Sequence, residues 1–184
     1  MKKLLTLAFA TTLMLPLLAQ EASTVEAPRK DVRNLSKVWP APFAFCQWPR
    51  SADIVGLRLT IPYSTSQENI TGLDLGFWGK SIYFEGIQIN LLRNDVTDSC
   101  AGIQIGLYNS IGRGDMGGIQ VGLWNEALSF RGIQCGLVNV TGDGEGFQIG
   151  AINRAETLHG FQIGAINVIR DAEVQFLPFV NIGF

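Results

Sequence analysis

The sequence predicts an all-β repeat protein, most simply a parallel β-solenoid of about eight to nine coils of 14–16 residues, and three observations carry that expectation. The first is a period. Five near-copies, GIQIGLYN, GIQVGLWN, GIQCGLVN, GFQIGAIN and GFQIGAIN, open at Gly102, Gly118, Gly132, Gly146 and Gly160, spaced 16, 14, 14 and 14 residues apart. A fixed spacing of this kind marks a repeat architecture. The second is alternation inside each copy: Ile103, Ile105 and Leu107 interleave with Gly102, Gln104 and Gly106, the period of two of a half-buried strand. The third is that the same glutamine and the same asparagine return in every copy. In a solenoid, equivalent residues stack directly, about 4.8 Å apart, and side-chain amides bond along the stack.

Taken in order, Lys2 and Lys3 precede an apolar run over residues 4–19, the pattern of a secretory signal peptide spanning 1–19. The run falls short of the roughly 20 residues that cross a bilayer, and Pro16 breaks its end. Residues 20–37 carry mixed charge, few large apolar side chains and no period, and read as a flexible lead-in. Residues 38–55 open with VWPAPFAFCQWP, which packs two Trp, two Phe and three Pro into twelve residues. An aromatic binding face is one reading. A cap over the exposed first edge of the repeats is the preferred one, because an open edge must be covered.

The array itself spans 56–173. Degenerate copies open at Gly56 (GLRLTIPY), Gly72 (GLDLGFWG) and Gly86 (GIQINLLR), so every interval is 14 or 16 residues. An insertion of two preserves which side chains face inward, whereas an insertion of one inverts the following strand. Arg58 and Asp74 stand where glutamine is expected, and Arg93 where asparagine is expected. The Ile, Ile and Leu of each copy are expected to turn inward as the core, so that Ile133→Asp unfolds the array locally. A weaker second strand is marked by small or apolar residues at Ile111, Ala127, Ala155 and Ile169, and at Phe130, Leu158 and Ala172. Asn109, Asn125, Asn139, Asn153 and Asn167 mark one corner, and the opening glycines the other. In the closing segment 174–184, a C-terminal capping strand, Asn181 falls 14 residues after Asn167, which predicts that the asparagine register runs to the end.

The competing architecture is a small up-and-down β-barrel with one strand per repeat. Antiparallel neighbours would give no reason for the same Gln and Asn in each copy. Its outward band of three apolar side chains would cover roughly 10–15 Å, against the ~25 Å that membrane barrels present to lipid. Phe184, with Ile182 and Val180 alternating before it, points toward the barrel, because it resembles the terminal aromatic strand of outer-membrane barrels.

Charged residues make up 16% of the chain, below the roughly 25% of ordinary soluble proteins, and the formal net charge is −2. No Lys/Arg cluster long enough to track a phosphate backbone occurs, which excludes nucleic acid as a partner. Cys46, Cys100 and Cys135 are an odd number for an exported chain. Cys46 and Cys100 are a candidate pair in an oxidising compartment; Cys135 replaces a repeat Ile and reads as a small buried hydrophobe. No catalytic, cofactor-binding or metal-binding residues are assigned. His159 takes a variable position filled elsewhere by Arg131 and Glu145, the reading of a solvated turn residue. Asp143 and Glu145 in GDGEG read as an ordinary turn rather than a calcium site, since the motif occurs in one copy only. Arg113, Gly114 and Asp115 spell an adhesion tripeptide in a glycine-rich stretch, a signal too short to carry weight. Trp78, Tyr108 and Trp124 take neighbouring corner positions, either as corner packing or as an outward stripe for carbohydrate or protein.

The copies from GIQIGLYN to GFQIGAIN resemble a family of bacterial surface repeat proteins built from GxQxGxxN units, first described in leptospires and widespread in Gram-negative groups. The resemblance covers residues 54–184 and is specific over 102–167. It implies export and association with the cell surface or outer membrane, and no known activity. The chain is therefore expected to be a non-enzymatic envelope protein with an unknown protein or carbohydrate ligand, with a small outer-membrane barrel, a pore or anchor, as the alternative.

Overall fold

A computed structural model describes residues 40–46, 48, 52–64 and 67–184; the expected signal peptide, the lead-in, and Val38, Trp39, Gln47, Pro49, Arg50 and Ser51 of the cap lie outside the described residues. Seven strands, β1 (Ala41–Phe45), β2 (Ile54–Thr60), β3 (Gln67–Val96), β4 (Cys100–Ile105), β5 (Tyr108–Ile149), β6 (Ile152–Ile169) and β7 (Phe176–Gly183), follow one another in chain order. At 30 and 42 residues, β3 and β5 exceed one repeat and wind through more than one turn. Every pairing from β1 to β6 is parallel, with glycine over glycine at Gly56↔Gly72, Gly86↔Gly102↔Gly118 and Gly146↔Gly160. This is a parallel β-solenoid. An up-and-down barrel requires antiparallel neighbours, so the register excludes that alternative.

The glycine that opens each turn is required twice over. From Gly56 to Gly160 all eight have φ between +129° and +150°, a region open essentially to glycine alone. A Cβ at Gly118 or Gly132 would also lie 2.0 Å from the carbonyl oxygen of the glycine stacked beneath it. These eight glycines bound seven full turns. The array is shorter than the expected eight to nine coils because the last unit does not continue it.

The interior reverses the expected arrangement. Gln88, Gln104, Gln120, Gln134, Gln148 and Gln162 are fully buried, as are Asn109, Asn125, Asn139, Asn153 and Asn167, while Ile133 is 37% exposed. The strand alternates as predicted, but with its polar phase inside. The physical reason is that direct stacking satisfies every amide in the middle of the array. Each glutamine Nε2 donates to the Oε1 of the glutamine one turn earlier, at 2.7–2.9 Å. Each asparagine Nδ2 donates to the Oδ1 one turn later, at 2.7–2.8 Å. Its second hydrogen goes to a backbone carbonyl, as from Asn125 to Cys135 O at 3.0 Å. Buried polar groups are tolerated when paired, each such bond contributing about 0.5–1.5 kcal/mol net. The second glycine of GxQxGxxN makes room for the asparagines: a Cβ at Gly122 would lie 2.7 Å from Asn109 Nδ2.

Beside these amide rows runs an apolar core at the positions assigned to the weaker strand. Ile70, Phe84, Cys100, Met116, Phe130 and Leu158 stack two residues before the glycines, and Val96, Ile111, Ala127, Ala155 and Ile169 stack two residues after the asparagines. Full burial of such a side chain contributes roughly 1.5–3 kcal/mol for the larger ones.

The two ends depart from the repeat. At the N-terminal end β1 lies parallel on β2, with Phe43 over Leu57 and Phe45 over Leu59. Arg58 and Asp74 replace glutamine with a buried ion pair, both side chains fully enclosed. Arg58 Nε and Nη2 reach the two Asp74 oxygens at 2.9 and 2.6 Å, and Nη1 donates to Lys80 O at 2.8 Å. Asp74 Oδ2 also accepts Gln88 Nε2 at 2.8 Å and Asn90 Nδ2 at 2.9 Å. The glutamine row donates toward this end, so its last member must be a pure acceptor, which a carboxylate is. Gly79 leaves the space: a Cβ there would collide with Asn90 and Asp74.

Two register expectations are corrected. Asparagine is not missing at Arg93. Arg93 pairs with Tyr108, and Asn94 pairs with Asn109 and joins the amide row. At the other end β7 turns back antiparallel on β6, and Asn181 faces Gln162 rather than Asn167.

Candidate functional site

With the amides inside, the apolar phase of every strand faces outward. The positions one, three and five residues after each glycine carry Ile, Leu, Val, Phe, Ala or Cys in every turn from Gly72 to Gly160, and none carries a charge. Phe43 and Phe45 of β1 extend this face at one end. At the other, Ile182 and Val180 of β7 lie beside Phe161 and Ile163. Its more exposed members run from 37% at Ile133 to 58% at Leu91, while Leu73, Leu75, Ile103 and Ile119 are half-buried. At about 4.8 Å per row the face is roughly 45 Å long, and it exposes on the order of 1,500 Å² of apolar side chain. The largest apolar patch of a typical monomer is about 300–600 Å². The face is thus larger than the apolar patches monomers ordinarily expose.

Along one border runs an aromatic row. Trp78 is 43% exposed. The Arg93 guanidinium lies 5.7 Å from the Trp78 ring centre and 4.7 Å from that of Tyr108. Tyr108 in turn stacks on Trp124 at 6.5 Å with 16° between planes. Tyr108 and Trp124 thus pack on each other from adjoining turns, and Arg93 bridges Trp78 and Tyr108 from the turn between them. The sequence missed Arg93 as a member of the row, although a cation on the turn between two aromatics is the signal that identifies it. The Tyr108 hydroxyl donates to Glu126 Oε2 at 2.6 Å. Burial, then that bond and the Glu126 charge, push its phenol up to about 12.

The remaining candidates do not assemble. Exposed His159 stacks over Glu145 in its row. Asp143 accepts a hydrogen bond from Thr157 at 2.6 Å, and Glu145 pairs with Arg131 at 2.7 Å, so the GDGEG carboxylates are each engaged with a neighbour on an adjoining turn. Arg113 and Asp115 are exposed, but the Gly114 amide is bonded to Asp98 O at 3.0 Å, which ties the tripeptide into the coil instead of leaving it in a projecting loop. A hollow of about 700 Å³ at the C-terminal end is lined by Leu158, Ile169, Leu177 and Ile182 together with His159, Asp171 and Glu173. Among the described residues no three His, Cys, Asp or Glu side chains gather where they would hold a metal ion.

All three cysteines are unpaired. Cys100 belongs to the apolar core, where burial pushes its thiol up to about 12, and Cys46 donates to Ile61 O, so the candidate disulfide does not form. Cys135 is exposed on the apolar face, contrary to its reading as a buried hydrophobe, because its position belongs to the outward phase.

The geometry defines the class: a parallel β-solenoid with an amide-laced interior and an apolar exterior face. Compared with known proteins, the chain matches no family model, no curated protein and no solved structure.

Proposed function

We propose that this chain is an exported, non-enzymatic repeat protein that works as an interaction surface at the bacterial cell envelope, at the cell surface or outer membrane. The observation that carries the reading is the uncharged apolar face held on a scaffold whose interior is cross-linked by amide rows. A rigid array that exposes this much apolar surface needs a partner to cover it. Export is supported by the Lys2–Lys3 and apolar opening, and the envelope by the resemblance of the GxQxGxxN copies to surface repeat proteins. A protein partner is favoured over a carbohydrate, because the face offers no side-chain donors or acceptors to match sugar hydroxyls. Fractionation of cells expressing a tagged full chain tests this. Enrichment in the envelope fraction, with the first residues removed, is the expected outcome; a full-length chain in the soluble cytoplasm overturns it.

A further inference from the structure

Resting on that reading, we propose that the partner covering the apolar face is a second copy of this chain, packed face to face. The first argument is area. Two such faces together would bury on the order of 3,000 Å², within the roughly 2,000–5,000 Å² of obligate homodimers and well above the ~1,600 Å² of ordinary complexes. The second is composition. Depletion of charge and a predominance of apolar side chains characterise homodimer interfaces, and the outward positions carry no charged residue from Phe43 on β1 to Ile182 on β7.

The third argument is fit. Side-chain ladders favour flat stacked sheets, and facing sheets interdigitate at about 10 Å when their ridges share a spacing. A partner with apolar ridges every 4.8 Å or so is what this chain itself supplies. A two-fold axis across the face would lay the Ile and Leu rows of one copy into the grooves between the rows of the other, a dry interface of like side chains. A lipid surface is the weaker candidate. Elements that lie in a membrane interface carry Lys and Arg on their flanks, whereas one row bordering this face carries Glu85 and Glu145 beside Arg131, the aromatic row on the other border carries Arg93 as its one cation, and the chain is net negative.

Sedimentation of the full chain isolated from cells, without detergent, tests the proposal. The expected result is a particle of twice the 20.1 kDa chain or, after processing, twice the mature mass. Replacing Ile105→Glu and Val121→Glu together, both outward near the middle of the face, should raise the dissociation constant about a hundredfold or more while the far-ultraviolet dichroism stays that of the parent. Arg113→Glu, outside the face, should leave the dimer intact. Where the double variant fails to fold, the parent itself gives the answer: Cys135 on the face should resist alkylation at high concentration and become reactive on dilution.

A parent chain that is monomeric at micromolar concentration, or a Cys135 equally reactive at all concentrations, overturns the dimer. So does a monomer that floats with phosphatidylcholine vesicles, which would make lipid the cover. A monomer found in the envelope sinks the dimer and leaves the functional reading standing; a dimer found in the cytoplasm does the reverse.

Discussion

Ile133 and Gln134 are neighbours on one strand and meet opposite fates. The isoleucine is 37% exposed, and the glutamine is sealed from solvent. What separates them is the stack. Gln134 finds an amide above and below at 2.8 and 2.7 Å, so its burial leaves no polar group unpaired, whereas water-facing glutamines would gain nothing from their neighbours. Polarity inside a protein is governed by whether partners are supplied, and a straight parallel stack supplies them without limit.

Substitutions on the two sides of the strand should therefore separate widely. The largest effect is expected for Asp74→Ala, which removes the carboxylate that balances the buried Arg58 charge and accepts two amide donors; a loss of about 3–5 kcal/mol in urea unfolding is the expected outcome. Gln120→Leu interrupts the amide row in its middle, orphaning a carbonyl on Gln104 and a donor on Gln134, and should cost about 1–3 kcal/mol. Gln162→Leu should cost less than Gln120→Leu, because it orphans only the Gln148 carbonyl and removes an Oε1 that already lacks a partner at the end of the row. Equal losses at 120 and 162 would break the idea that pairing sets the value of these amides.

On the outer side, Ile133→Asp should change the stability of the monomer by no more than about 0.5 kcal/mol and leave its protease resistance intact, the reverse of what the sequence suggests. A locally digested mutant would return Ile133 to the interior. The smallest expected signal is a titration. Because the folded protein holds Tyr108 protonated up to about 12 while the unfolded chain releases the proton near 10.0, its contribution is intact below pH 10 and lost between pH 10 and 12. Ultraviolet titration of a Tyr108→Phe variant against the parent should show the missing late transition.

The repeat, the parallel stack, the amide rows and the apolar positions of the second strand were all legible, because each follows from residues recurring at a fixed spacing. The phase of the alternation was not. A period of two places isoleucine and glutamine on opposite sides and is silent about which side is inside. The usual preference for burying isoleucine then misled, since the decisive fact, a partner for every amide, belongs to the stack and not to any one strand. The exposed aromatic and aliphatic face was hidden by the same inversion, and with it the candidate site.

Asn94 was obscured for a different reason. The 16-residue interval from Gly86 to Gly102 has one extra residue before Asn94 and another after it, whereas the interval from Gly102 to Gly118 has both extras after Asn109. Counting from the glycine thus finds Arg93, and only the partner strand reveals the shift. Asn181 misled because spacing along the chain carries no sense of direction, and residues 170–175 reverse it before β7.

The glutamine row donates toward the N-terminal end, and the asparagine row beside it donates toward the C-terminal end. Two columns of dipoles aligned head to tail but running in opposite senses annul one another at every level. A turn can then be duplicated or deleted without building a field along the axis, so nothing electrostatic limits copy number, and only the two terminal arrangements have to be kept as the molecule grows or shrinks through its genetic history.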